Sequence, residues 1–204
     1  MSTASLMIGV ASSSESRGAI LVAGVAGLVA GAMSMAVGEY VSVSSQRDAE
    51  RADIEVEKRE LSRQPLDELR ELASIYVKRG VDPALAMTVA QQLSAHDRLG
   101  AHMRDELGID EHALSRPMQA AWISAVSCSL FAVVPLVAFL IAPAPLRVFF
   151  IAALSLASLT CLGALGARLG GAPAGRAAIR VGLGGAMAMA VTAAVGHMIG
   201  RALG

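Results

Sequence analysis

The stretch AILVAGVAGLVAGAMSMAVGEYVSV, residues 19–43, carries a single ionisable acid, Glu39, and runs straight into SSQRDAERADIEVEKRE, residues 44–60. About 20 mostly apolar residues suffice to cross a bilayer, so residues 19–43 read as a membrane span. No turn signal separates Tyr40 from Glu60. The spacing therefore predicts one long helix that leaves the membrane and continues through water. It should stop near Pro65, because the residue before a proline avoids the α region. This junction of an apolar and a charged half-helix decides the class: an all-α membrane protein.

The rest of the chain follows that division. Of its 204 residues, 54% are hydrophobic and 17% are charged, against about 25% charged in ordinary soluble domains. The formal net charge is zero, which argues against a nucleic-acid partner, and the high hydrophobic share excludes disorder. Two cysteines cannot staple a secreted scaffold. Of the 17 acidic residues, 15 lie within 44–116, and from Pro117 to Gly204 there is none. The same window holds 11 of the 17 Lys and Arg residues. Residues 118–142, 146–167 and 177–200 are further spans by length and apolarity. Residues 2–11 are apolar but too short to cross, and they lack the basic start of a signal peptide; they read as the tail of a first span whose beginning lies upstream. The expected organisation is 1–43, a partial first span and the second span; 44–116, a polar helical domain; and 117–204, the third to fifth spans. Clustered Lys and Arg mark the cytoplasmic side, which places 44–116 in the cytoplasm and the C-terminus outside. Gly27 with Gly31, and Gly166 with Gly170, have the spacing that lets helices pack closely in lipid.

Within 44–116 the pattern is helical throughout. Leu66, Leu69, Leu72, Ile75 and Tyr76 recur at helical spacing, with Gly80 as the stop signal. Asp82-Pro83 reads as an N-cap and a first-turn proline. A helix to about His96 and a shorter one over 97–107, ended by Gly108, complete the domain.

Two groups of side chains carry candidate chemistry. Glu50, Asp53, Glu57 and Glu60 recur every three or four residues and so share a helix face. Like charges at that spacing destabilise a helix by a few tenths of a kcal/mol per pair. Either the neighbours Arg51, Lys58 and Arg59 offset this on a solvated face, or the carboxylates are hard oxygen ligands for a divalent metal. His102, Met103, Asp105 and Glu106 mix imidazole, thioether and carboxylate, a set that suits ferrous iron better than calcium. In the membrane, Glu39 is either an interfacial carboxylate or part of an ion pathway. Met33 and Met35, one to two turns before it, are packing residues or soft ligands. His197 reads as a helix–helix hydrogen bonder. No Walker A loop, CxxC, GxSxG, HExxH or Glu-x-x-His is present, so neither an ATP drive nor an enzyme is expected; Cys128 and Cys161 read as small apolar residues.

The stretch Ser2-Thr3-Ala4-Ser5-Leu6-Met7, the block from Gly27 through Gly38-Glu39-Tyr40-Val41-Ser42-Val43 to Gln46, and His102-Met103-Arg104-Asp105-Glu106-Leu107-Gly108 resemble the vacuolar iron transporter (VIT) family. The likeness covers nearly the whole chain. It implies a five-span bundle with a small cytoplasmic helical metal-binding domain, working as a homodimer. It also implies proton-coupled export of ferrous iron from the cytosol, with Mn2+, Zn2+ or Co2+ as further cargo and no organic cofactor. For a bacterial-type member the membrane would be the cell membrane. The resemblance places metal ligands at Glu57, Glu60, Glu68, His102, Met103 and Glu106, and the ion pathway at Met35, with Glu39 beside it. His102 departs from the family's methionine, yet imidazole is a competent ligand for ferrous iron. The family's Asn-Asp-Gly motif and its first-span aspartate precede Ser-Thr-Ala-Ser, so the expectation is a start assigned too late. A membrane-anchored metal sensor or buffer that does not transport is the competing reading.

Overall fold

A computed structural model describes residues 2–13, 16–110 and 114–203. Among the described residues all regular structure is helical: α1 (Ser2–Ser13), α2 (Arg17–Arg63), α3 (Pro65–Lys78), α4 (Pro83–Asp105), α5 (Pro117–Ile141), α6 (Arg147–Leu169) and α7 (Ala174–Leu203). A single 3-10 turn, Ala144–Leu146, joins α5 to α6. The chain divides into two compact units, residues 1–38 with 121–204, and residues 39–120.

The first unit is the apolar one. Four helices are long and apolar enough to cross a membrane: Arg17–Arg63, Pro117–Ile141, Ala144–Leu169 and Ala174–Ala202. The protein is an integral membrane protein. Helix α1, with 12 residues, extends about 18 Å and is too short to cross alone. It is nevertheless among the best-buried segments: Thr3, Ala4, Met7 and Ile8 are all buried. Met7 and Ile8 share a core with Ile20, Phe139, Ile151 and Met189. Small residues make the close approaches possible. A Cβ at Gly24 would lie 2.8 Å from Met7 Sδ and 2.7 Å from Leu136 Cδ2, and one at Gly196 would strike the backbone carbonyl of Gly9. The two predicted small-residue pairs behave differently. Gly27 and Gly31 have Leu6, Ser2 and Cys128 within reach of an added Cβ, whereas Gly166 faces no described atom. Many large apolar side chains point outward, such as Leu183 (67% exposed) and Met187 (68%), as surfaces facing lipid should.

The second unit is built from the polar half of α2 with α3 and α4. Helix α2 is continuous over 47 residues and ends two residues before Pro65, as the sequence demands. Pro65 opens α3, where a missing N–H costs nothing. Gly80 (φ 94°) follows the end of α3, a conformation that an L side chain resists. Asp82 Oδ1 then accepts hydrogen bonds from the N–H groups of Ala84 and Leu85, at 2.9 and 3.2 Å. The expected break before the last short helix is real. Asp97 leaves the helical region (φ −155°, ψ 89°) inside α4, and its Oδ1 accepts from the Gly100 N–H at 3.0 Å, capping a new start. Leu72, Ala73, Ala90 and Ala101 form the small core between α3 and α4.

Candidate metal centre

Three elements of the second unit converge on one buried point. The polar half of α2 supplies Glu57, the first turn of α3 supplies Glu68, and the last turn of α4 supplies His102. All three are almost fully buried, at 2%, 7% and 0% exposure. Ionisable residues are rarely that deep without a partner. One ligand atom from each lies within 4.8 Å of the others. Ligands bound at about 2.1 Å to a shared ion stand about 3–4 Å apart, so small side-chain rotations suffice to close around a cation.

The hydrogen bonding is incomplete in a telling way. His102 Nδ1 lies 3.0 Å from Glu57 Oε1 and 3.0 Å from Glu106 Oε2. One ring nitrogen carries at most one proton. When Nδ1 bears it, the N–H donates to Glu106, and the contact with Glu57 lacks hydrogen-bond alignment. Glu57 Oε1 and His102 Nε2 are both buried with no hydrogen-bond partner among the described residues. A buried acceptor left in that state costs about 1–3 kcal/mol, and a cation would relieve it. His102 also lines a cavity of about 240 Å³ with Leu61, Leu69, Ser94 and Arg98.

The electrostatics agree. Burial first, and the Glu106 carboxylate second, push the Glu57 carboxyl up to about 7, with Glu68 and Glu60 adding to the rise and His102 opposing it. Glu68 is raised as well, by burial and then by Glu71 and Glu60. Crowded carboxylates in a dry pocket hold protons, and a divalent ion can displace them.

The structure sorts the candidates read from sequence. Glu57, Glu68 and His102 meet, and Glu106 joins them through His102. Glu60 is exposed yet close enough to raise both buried carboxyls. Met103 is buried (1% exposed) and lines a different cavity with Ile54, Leu99 and Leu114. The acidic face of α2 divides. Glu50 accepts from the Ser115 N–H at 3.1 Å and from its hydroxyl at 2.7 Å. These hydrogen bonds, the hydroxyl's foremost, hold the Glu50 carboxyl below the usual range. Asp53 faces solvent. Asp105, grouped with His102 by sequence, turns instead to α3: it accepts from Tyr76 Oη at 2.7 Å and pairs with Arg79 at 2.9 Å. Burial would raise its carboxyl, but these two donors outweigh burial and lower it. That clamp fastens the end of α4, with His102 and Glu106, onto α3. Sequence reading missed Glu71. Its signal was its position three residues after Glu68, on the same helix face. In the membrane half of α2, Met33 and Met35 are 62% and 54% exposed, and Glu39 is exposed too. His197 is exposed on α7.

Residues 1–197 match the VIT family. The chain is 47% identical over 188 residues to a vacuolar iron transporter of Acanthamoeba castellanii, a match covering 91% of this chain and 71% of that protein. It is 37% identical to vacuolar iron transporter homolog 5 of Oryza sativa subsp. japonica, covering 94% and 71%. With vacuolar iron transporter homolog 2 of Arabidopsis thaliana it shares 35% identity, covering 98% and 78%. An apolar helical unit, a charged helical unit with a buried Glu–Glu–His group, and this extended similarity lead to one assignment: the chain belongs to the VIT family, whose members are transporters and not enzymes.

Proposed function

We propose that the protein transports ferrous iron across a membrane, exporting it from the cytosol in exchange for protons. The observation that carries this reading is the buried group of Glu57, Glu68 and His102 in the unit of residues 39–120. The names of its relatives as vacuolar iron transporters support iron as cargo. In this reading the charged unit is cytoplasmic and captures the ion. Glu57, Glu68 and His102 provide the inner ligands, Glu106 and Glu60 supply further carboxylate, and Met103 contributes a thioether after a side-chain rearrangement. A mixed N, O and S set suits Fe2+ and also admits Mn2+, Zn2+ or Co2+.

Capture releases protons, because a ligand must lose its proton to bind. With the Glu57 carboxyl at about 7, acidification below neutrality weakens capture and alkalinity favours it. Met35 and Glu39, one turn apart on α2, then form the pathway. Their exposed face in one copy would meet the same face of a second copy across a two-fold axis, which accounts for a homodimer. In this reading the short apolar helix α1 belongs to a fifth span. The membrane of a bacterial cell and the vacuolar membrane are both consistent with this reading.

The test is ferrous iron uptake into inside-out vesicles under a pH gradient. Uptake that depends on the gradient and is lost in Glu57→Ala/Glu60→Ala supports the proposal. The metal group lies within one compact unit, and this favours a second reading, a metal sensor or buffer. Metal binding without uptake would select it.

A further inference from the structure

The middle of α2, where its apolar run ends, and the start of α5 form a second, unrelated site. Tyr40, Arg47, Arg116, Pro117, Met118 and Gln119 line a pocket of about 310 Å³. We propose that this pocket binds the phosphate headgroup of an anionic phospholipid.

Its chemistry is one-sided. Among the described residues, two guanidinium groups line it and no carboxylate does. Arg47 Nε is buried without a hydrogen-bond partner among the described residues. On α2, Glu50 feels the Arg47 charge, but its two oxygens already accept from Ser115 and Gln46. Glu39, beside Tyr40 in sequence, is not among the lining residues. The pocket also holds the start of α5. Pro117 occupies the first turn and has no N–H to offer, while the first-turn N–H groups of Met118 and Gln119 have no carbonyl four residues back within the helix. A helix start with free N–H groups attracts phosphate, and the flanking arginines add full charges.

Its position argues for a lipid and against a free ion. The apolar run of α2 ends at Val43, and Arg47 lies one turn further, about 6 Å along the axis. Arg116 stands two residues before the apolar run of α5 begins. Both arginines are therefore at headgroup depth. Tyr40 is a residue type that collects at this interface. Met118 and Trp122, one turn apart on α5, are 73% and 71% exposed, an apolar face suited to the acyl chains below a bound headgroup.

Trp122 is the only tryptophan in the chain, so its fluorescence reports the lipid beside the pocket. The full-length protein is reconstituted into phosphatidylcholine vesicles holding a fixed small fraction of a brominated lipid, either phosphatidylglycerol or phosphatidylcholine. Brominated phosphatidylglycerol should quench Trp122 well beyond brominated phosphatidylcholine. In Arg47→Ala/Arg116→Ala that preference should fall on the order of 30-fold, the loss expected for two interfacial basic residues. Arg47→Lys/Arg116→Lys should keep most of it, which separates lost charge from lost folding. Equal quenching by the two lipids in the unaltered protein overturns the proposal, and so does a preference that survives in the double alanine variant. Inorganic phosphate, added against chloride at equal ionic strength, should leave the preference intact. Its abolition by phosphate would assign the pocket to a free anion and sink the lipid reading.

Discussion

The apolar unit and the charged unit bury opposite kinds of side chain. In the first, Met7, Phe139 and Ile151 are fully enclosed, while similar residues on the outside, such as Leu183, face lipid. Inside and outside are alike in polarity, so helix pairing there depends on close fit, as at Gly24 and Gly196. In the second unit the apolar core is small, mainly Leu72, Ala73, Ala90 and Ala101. Beside it lie two buried carboxylates and an imidazole. Folding that unit gains modest hydrophobic stabilisation and carries an electrostatic penalty that a cation can cancel. The difference teaches that one unit is held by the close fit of apolar helices, whereas the other buries carboxylates whose penalty the proposed cation would relieve.

That contrast can be broken or sharpened, most forcefully through the metal. Glu57→Ala/Glu68→Ala should lower Mn2+ or anaerobic Fe2+ affinity of the full-length protein at least about 100-fold, more than loss of a residue that only orients a ligand typically does. Glu60→Ala alone should cost much less. Calorimetric titration decides, and equal affinities would remove the ligand role. Next in size is packing. Leu72→Ala should destabilise the charged unit by about 2–5 kcal/mol, whereas Leu183→Ala, on a face exposed to lipid, should fall within about 0.5 kcal/mol, as for exposed sites generally. Thermal unfolding in detergent compares the two.

The third effect is pH-dependent. The folded Glu57 carboxyl titrates near 7, against 4.5 without its surroundings. The folded state keeps that proton longer than the unfolded state does. This group's penalty is therefore absent below about pH 4.5, grows between 4.5 and 7 and is constant above, reaching up to about 3 kcal/mol. Metal-free protein should lose stability across that window. Glu57→Gln should flatten the slope, and saturating Mn2+ should restore stability at pH 7.5 in the unaltered protein only. An unchanged slope in Glu57→Gln would show that its burial carries no penalty. The smallest effect belongs to the α3–α4 clamp. Tyr76→Phe removes one hydrogen bond to Asp105 and should cost about 1 kcal/mol, with only a few-fold loss of metal affinity through the loosened end of α4. Chemical denaturation paired with metal titration measures both.

Much of this architecture was legible in the residues. The α2 continuation past Tyr40 followed from the lack of any turn signal, and its end from Pro65. Asp82-Pro83 and Gly80 marked the α3–α4 turn, because capping and positive φ are local demands that a few residues satisfy. The kink at Asp97 was visible for the same reason. The site was legible only in part. Glu50, Glu57 and Glu60 look equivalent on a helical wheel, yet Glu50 is bound to Ser115 and Glu60 faces water. Only Glu57 meets α3 and α4 from α2. Asp105 sits one residue from Glu106, but one step along a helix turns a side chain by about 100°, the 3.6-residue period, and Arg79 and Tyr76 take it away from His102.

The sequence alone determined what depends on local rules: which segments are helical, where they stop, which are apolar enough for lipid, and that carboxylates cluster between residues 44 and 116. Those outcomes follow from backbone sterics, hydrogen bonding within a turn and the transfer of side chains from water. The tertiary structure decided which carboxylates are dehydrated, which find a donor and which are left facing one another. Glu57, Glu68 and His102 are up to 45 residues apart in the chain, and their proton affinities depend on burial and on charges from other helices. Such long-range terms exist only once α2, α3 and α4 have packed together.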